Sequence, residues 1–260
     1  MNLDFTTITE LAGDQVSFEQ IERLCHRYYW VGDYCAGKHV LEVACGTGQG
    51  LGYLKSISKS LHAGDFSAEI LTIAKNHYKD RISFTRFNAE KLPYRNECFD
   101  VIILFEAIYY IPSAKQFVSE CRRVLRNNGM VLIATANKDL YDFNPSPHSY
   151  RYFGVVEFEK LFSEHGFSLE CFGSTPIDEV SLRQKLLRPV KKLAVHSGLI
   201  PKTANGKKFL KRLVFGELMP MPPEIEAGMV PYAPPLALPL GKTDRKHKVI
   251  YYAAKLENKN

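Results

Sequence analysis

Residues 39–52, HVLEVACGTGQGLG, decide the reading of this chain. His39–Val43 is a short run of strand length, apolar apart from His39 and Glu42. Gly46, Gly48, Gly50 and Gly52 then punctuate a turn, and Leu51 and Leu54 open a helix. A strand feeding a glycine-rich turn and a helix forms a cradle for an anion or a nucleotide, because glycine lets a ligand approach the backbone closely. The dinucleotide fingerprint G-x-G-x-x-G fails in each register, since Leu51 and Tyr53 stand where its third glycine is required. The phosphate loop G-x-x-x-x-G-K-[ST] is absent as well. Hydride transfer from a nicotinamide and nucleotide hydrolysis therefore lose their main support.

Outward from this turn the chain alternates regularly. Ser17 and Gln20 make a capping box for a helix expected to run to about Cys35, with Phe18, Ile21, Leu24, Cys25, Tyr28 and Tyr29 on an apolar stripe. After the glycine turn, residues 61–65 read as a strand, Ala68–Tyr78 as a helix and residues 82–88 as a strand. Phe99–Phe105 (FDVIILF) is too apolar for a sheet with one wet face, so it belongs at the centre of a parallel sheet. Ser113 caps a helix through Leu125, Asn128 and Gly129 are expected to end it, and residues 130–136 (MVLIATA) read as another buried strand. Such alternation predicts an α/β fold with a doubly wound, mostly parallel sheet.

The later third departs from this pattern. Residues 157–165 look helical, and residues 167–172 and 248–255 (KVIYYAAK) look like strands. Between those strands, residues 180–215 hold two candidate amphipathic helices. Residues 217–241 carry seven of the fourteen prolines and are expected to be extended and irregular. This predicts one domain over 1–260. Its parts are a helical cap over 1–36, a core over 37–175, a basic and Pro-rich insertion over 176–246, and a last strand and tail over 247–260.

Composition bounds the rest. The 260 residues are 45% hydrophobic and 24% charged, with 16 Phe and 14 Tyr, enough apolar mass for a sizeable core. The first ten residues lack the basic and apolar segments of a secretory signal, and no run is long enough to span a bilayer. A cytoplasmic location is expected. The six cysteines show neither C-x-x-C nor His at ligand spacing, so they read as buried thiols in a reducing compartment, with no metal site.

Four ordered stretches resemble the class I S-adenosylmethionine-dependent methyltransferases. Residues 40–50 are similar to the family's first motif, an acid followed by spaced glycines. Asp65, in the stretch Gly64-Asp65-Phe66-Ser67, resembles its ribose-binding acid. The run Asn88-Ala89-Glu90-Lys91-Leu92-Pro93 resembles the turn that holds adenine. Residues 99–110 and 122–134 resemble its fourth strand, fourth helix and fifth strand. The resemblance covers about residues 17–137 and departs from the family at Ala44, where glycine is usual, and at Asn88, where Asp is commoner.

This resemblance implies a Rossmann-like, seven-stranded methyltransferase fold and S-adenosyl-L-methionine as cofactor. It places Glu42, Ala44, Gly46 and Gly48 at the methionine end, with Glu42 neutralising the ammonium. Asp65 would take the ribose hydroxyls, and Phe66, Asn88, Ala89 and Glu90 would surround the adenine. Phe105 or Glu106 would line the cofactor, and Tyr28 or Tyr29 would close over it. The acceptor would meet the loops at residues 106–112 and 137–151. His148 is the foremost base candidate by its ordinary titration range, with Tyr110, Tyr109, Glu106, Asp142 and Tyr150 as alternatives.

Some acceptors can be set aside. No [DN]-P-P-[YFW] follows the fourth strand, where Phe105-Glu106-Ala107-Ile108 stands instead, and no Pro-Cys pair serves cytosine C5. Residues 180–216 carry ten Lys and Arg and no acid, so the net charge of +6 divides into +10 there and −4 elsewhere. Residues 206–215 interleave cations with Phe209, Leu210, Leu213 and Val214 at helical spacing, which suits an anionic membrane surface or an anionic substrate. The expected acceptor is a small anionic or lipid-linked metabolite such as a sugar derivative, methylated on O or N. An RNA- or protein-directed enzyme docking through the basic segment, or a non-catalytic cofactor-binding module, are the alternatives. Nucleic acid is disfavoured because no binding motif accompanies the patch.

Overall fold

The computed structural model describes residues 9–177 and 217–257. The two candidate helices of residues 180–215, including the proposed membrane-facing stretch 206–215, lie outside the described residues.

The chain runs β1 (Gln15–Ser17), α1 (Phe18–Trp30), α2 (Gly32–Cys35), β2 (His39–Val43), α3 (Leu51–Ile57), β3 (Ser60–Asp65), α4 (Ala68–Tyr78) and β4 (Ser83–Arg86). It continues with β5 (Phe99–Phe105), α5 (Ala114–Val124), β6 (Leu125–Ala136), α6 (Val155–Ser163), β7 (Phe167–Pro176), β8 (Leu218–Pro220), β9 (Leu236–Leu238) and β10 (His247–Leu256). The main sheet has the order β4-β3-β2-β5-β6-β10-β7-β9. Pairing is parallel from β4 through β6, and β10 runs antiparallel between β6 and β7. The strand order reverses between β2 and β5, and the crevice above that point is where open α/β sheets bind ligands.

Alternate residues of the central strands feed two cores. Leu41, Val43, Ile102 and Leu104 pack with Phe117, Phe158 and Tyr252 beneath α5 and α6. Val40, Val101 and Ile103 pack with Leu24, Leu54 and Leu71 beneath α1, α3 and α4. The period-2 alternation of a strand buried on both faces sorts these side chains. Five of the six free cysteines are buried in these cores.

Three local expectations are corrected. The first helix does not run unbroken to Cys35: it stops at Trp30, and Gly32 starts a separate turn where a Cβ would lie 2.7 Å from the Tyr53 hydroxyl. The Ser17 capping box is present as read. Asn128-Gly129 does not end a helix, because the strand already begins at Leu125. The register shifts between Leu125, opposite Phe99, and Met130, opposite Val101, so residues 126–129 form an irregularity with Asn128 at φ 60°. The sheet gains an eighth strand, since β9 of the Pro-rich segment adds an antiparallel edge to β7. β8 of the same segment pairs with β1 in a second, two-stranded sheet.

Candidate active site

β2 delivers the chain into a turn in which Ala44, Gly46 and Gly48 all have positive φ, at 53°, 59° and 88°. A Cβ at Gly48 would sit 2.8 Å from Leu51, and one at Gly50 would strike the Tyr28 ring at 2.0 Å. Those positions keep α1 close over the turn. Asp65, at the end of β3, holds the turn open from the other side. Its Oδ2 accepts the Gly46 N–H at 3.1 Å and its Oδ1 accepts the Ser67 N–H at 2.9 Å. Burial raises the Asp65 pKa, and these amides oppose that shift.

Glu42 lies beside the turn and is 2% exposed. The Tyr28 hydroxyl donates to its Oε1 at 2.6 Å, while Oε2 is buried without a hydrogen-bond partner. Burial pushes the carboxyl up to about 7, with the Tyr28 hydrogen bond and the Arg27 charge working the other way. A buried carboxylate with an unfilled oxygen fits an incoming ammonium, since burying a charge without a partner is costly.

One continuous cavity of about 1010 Å³ opens over the carboxyl ends of the strands. Of the residues proposed from sequence, Glu42, Ala44, Gly46, Asp65, Phe66, Asn88, Ala89, Glu90, Phe105 and Tyr110 line it. Phe66 forms an exposed rim, with the Arg86 guanidinium 6.0 Å from its ring centroid. The Asn88 side-chain oxygen already accepts the Glu90 N–H at 2.9 Å, and Glu90 accepts the Ser113 N–H at 2.7 Å, so the two also brace their loop.

Four proposed residues stand elsewhere: Asp142, Tyr29, Gly48 and His148 are not in the cavity lining. Tyr29 is one position, and so about 100°, around α1 from Tyr28. It faces the Pro-rich segment, donating to the Glu226 carbonyl and accepting the Met229 N–H. Gly48 shapes the turn from behind, its carbonyl accepting from Tyr78 at 2.6 Å. His148 is exposed, at φ 65°, in a loop where Tyr150 docks its N–H on the Tyr109 carbonyl at 2.7 Å; Tyr150, not His148, reaches the cavity. Tyr110 does line it and shares a hydrogen bond with Ser146.

The cavity also gathers groups that sequence reading did not single out. Gln20, Arg23 and Arg27 project from α1, Glu10 comes from the segment before β1, and Lys248 comes from β10. Arg27 pairs with Glu106 at 3.5 Å and with Glu10 at 3.9 Å. Glu106, at φ 48° just past β5, accepts the Ala136 N–H at 3.2 Å and the Tyr109 hydroxyl at 3.3 Å. Burial raises its pKa, and the Arg27 and Arg23 charges oppose this. The only signal in the sequence was the i, i+4 spacing of the two arginines flanking the apolar stripe. Among the described residues, no group of three or more His, Cys, Asp or Glu is arranged to hold a metal ion, and no helix is long and apolar enough to cross a membrane.

Residues 41–133 match the family model described as a methyltransferase domain. A protein of Mycolicibacterium smegmatis, named "Probable S-adenosylmethionine-dependent methyltransferase", is 30% identical over 172 residues, covering 63% of this chain and 64% of that protein. The phthiotriol/phenolphthiotriol dimycocerosates methyltransferase of Mycobacterium leprae is 38% identical over 105 residues, 38% of each chain. The chain thus spans less than two thirds of the length of either relative. In fold it is similar to Haemonchus contortus phosphoethanolamine N-methyltransferase 2, solved with S-adenosyl-L-methionine. The TM-score is 0.57 at 17% identity, over 93% of this chain and 53% of that one. The glycine turn, Asp65 and the strand order agree with these likenesses, and over residues 41–133 the chain is similar to the methyltransferase domain.

Proposed function

We propose that this protein transfers the methyl group of S-adenosylmethionine to a small acceptor, on O or N, and that the acceptor is anionic or lipid-linked. The carrying observation is that one cavity is lined both by the glycine turn, Glu42 and Asp65 and by Glu106, Tyr109, Tyr110 and Arg27. A transferase needs the two sets contiguous, because displacement at a methyl carbon is governed by positioning.

When bound, the sulfonium cofactor supplies an electrophilic methyl group. The chain's own residues do the remaining work. Glu42 and the open turn would hold the amino-acid end, Asp65 the ribose, and Phe66 with residues 88–90 the adenine. Glu106 and Tyr110 flank the place where the acceptor atom would sit; the Glu106 carboxylate can receive a proton from a hydroxyl acceptor, and Tyr110, kept protonated by burial, can donate a hydrogen bond to it. The anionic character is supported by the ten cations of residues 180–216. The lipid-linked character is supported by the mycobacterial relative named for dimycocerosate lipids.

The test is titration calorimetry with S-adenosylhomocysteine, followed by transfer of a radiolabelled methyl group into metabolite, lipid and RNA extracts. Binding together with label in an acidic metabolite or lipid is the expected result. No binding would defeat the reading, and label confined to RNA would transfer it to the macromolecular class.

A further inference from the structure

We propose that Arg23 and Arg27 form a clamp for an oxyanion, a carboxylate or phosphate, carried by the acceptor, and that the acceptor has an apolar or aromatic body. This rests on the methyltransferase reading and assigns the acceptor part of the cavity.

The two arginines lie four residues apart on α1, so they project from one face, and both line the cavity. The Nε of each is buried and has no hydrogen-bond partner among the described residues. A guanidinium presents its donors as a fixed fork that matches carboxylate and phosphate, so two cavity-lining arginines whose Nε–H groups lack a partner among the described residues suit such an oxygen pair. Arg27 is steadied by Glu106 and Glu10. Arg23 has no ion pair among the described residues, which leaves its charge for a ligand. Lys248, paired with Glu19 at 2.6 Å, adds a third cation to the lining.

The remaining wall is of another kind. Tyr109, Tyr110, Ile111 and Tyr150 line it, and Tyr109 is fixed by stacking on Tyr152 at 4.2 Å between centroids. A cavity lined by both arginines and tyrosines suits an acid with an apolar body. The cofactor's own carboxylate is the competing source. Arg23, however, lies about 6 Å along the helix axis from Arg27, on the side away from Tyr28 and the Glu42 cradle that takes the amino-acid end. The geometry therefore favours the acceptor.

The experiment uses the whole chain, both free and loaded with S-adenosylhomocysteine. It is titrated calorimetrically with benzoate, phenyl phosphate and the neutral isostere benzamide. The anions should bind at least about tenfold more tightly than benzamide, and Arg23→Gln should remove about that preference. Arg23→Lys should restore part of it, and the affinity for S-adenosylhomocysteine should change by less than about twofold in both variants. Thermal melts of both variants establish that they fold. Equal binding of benzoate and benzamide, no binding of either anion, or an unchanged preference in Arg23→Gln would overturn the clamp. So would a loss of S-adenosylhomocysteine affinity in Arg23→Gln with 5′-methylthioadenosine and the anion probes unaffected, which would give the arginines to the cofactor carboxylate. If S-adenosylhomocysteine did not bind at all, the methyltransferase reading would fall, and the titration of the free protein would still decide the clamp.

Discussion

The Tyr28 hydroxyl donates to Glu42 across 2.6 Å of protein interior, and the other carboxylate oxygen of Glu42 is left buried and unpartnered. Helix α1 and strand β2 thus meet in a polar contact directly beside the glycine turn. The contact stabilises the carboxylate only in part, since its pKa remains raised to about 7.

Stability should carry the imprint of this group. The unfolded chain loses the Glu42 proton near pH 4.5, and the folded chain holds it until about 7. Stability should therefore fall as pH rises from 4.5 to 7 and level off above, by roughly 3 kcal/mol at most. Glu42→Gln keeps an acceptor for Tyr28 and removes the titration. It should melt higher than the wild type at pH 8, lose this pH dependence and bind S-adenosylhomocysteine at least about tenfold more weakly. Urea denaturation at several pH values and calorimetry check both halves; equal pH profiles would show that Glu42 does not titrate in this window.

An ammonium placed beside Glu42 should favour its charged form and draw the pKa down. Binding of S-adenosylhomocysteine near pH 6.5 should then release a proton. Calorimetry in two buffers of different ionisation enthalpy measures this, and identical heats in both would count against the ammonium assignment.

Asp65 has two duties. Its oxygens hold the Gly46 and Ser67 amides, so Asp65→Ala should cost about 1–3 kcal/mol in stability as well as cofactor affinity. Asp65→Asn retains one acceptor oxygen and should fall between the two. If Asp65→Ala bound S-adenosylhomocysteine as tightly as the wild type, the ribose role would be wrong.

Ala44 occupies a left-handed backbone at φ 53°, which costs a residue with a Cβ about 1–2 kcal/mol. Ala44→Gly should relieve that strain against a smaller entropic loss in the unfolded chain, for a net gain of about 0.5–1 kcal/mol. A lower denaturation midpoint would show that the Ala44 methyl contributes packing that outweighs the strain.

Tyr29→Phe separates packing from binding. It removes the hydroxyl that joins α1 to Glu226 and Met229. Hydrogen exchange should rise in residues 224–232, while S-adenosylhomocysteine affinity stays within about twofold of the wild type. A larger loss of affinity would return Tyr29 to the cofactor site.

The sequence alone determined the strand–helix alternation, the five residues of β2, the glycine-rich turn that follows, the capping box at Ser17 and the residues Asp65, Phe66 and 88–90 that line one cavity. Each is a local signal: a side-chain period of two or 3.6, a glycine where φ is positive, an acid at a strand end. Tertiary structure decided the rest. Tyr28 and Tyr29 are indistinguishable as neighbours on an apolar stripe, and only the docking of α1 turns the first to Glu42 and the second to Glu226. His148 has suitable chemistry in an expected loop, yet the backbone bond from Tyr150 to Tyr109 brings the tyrosine to the cavity instead. Arg23, Arg27, Glu10 and Lys248 come from segments as far apart as the strap before β1 and the last strand. Their charges carry no period that points to one site, and they meet because β10 inserts antiparallel between β6 and β7 while α1 folds over the sheet's carboxyl edge.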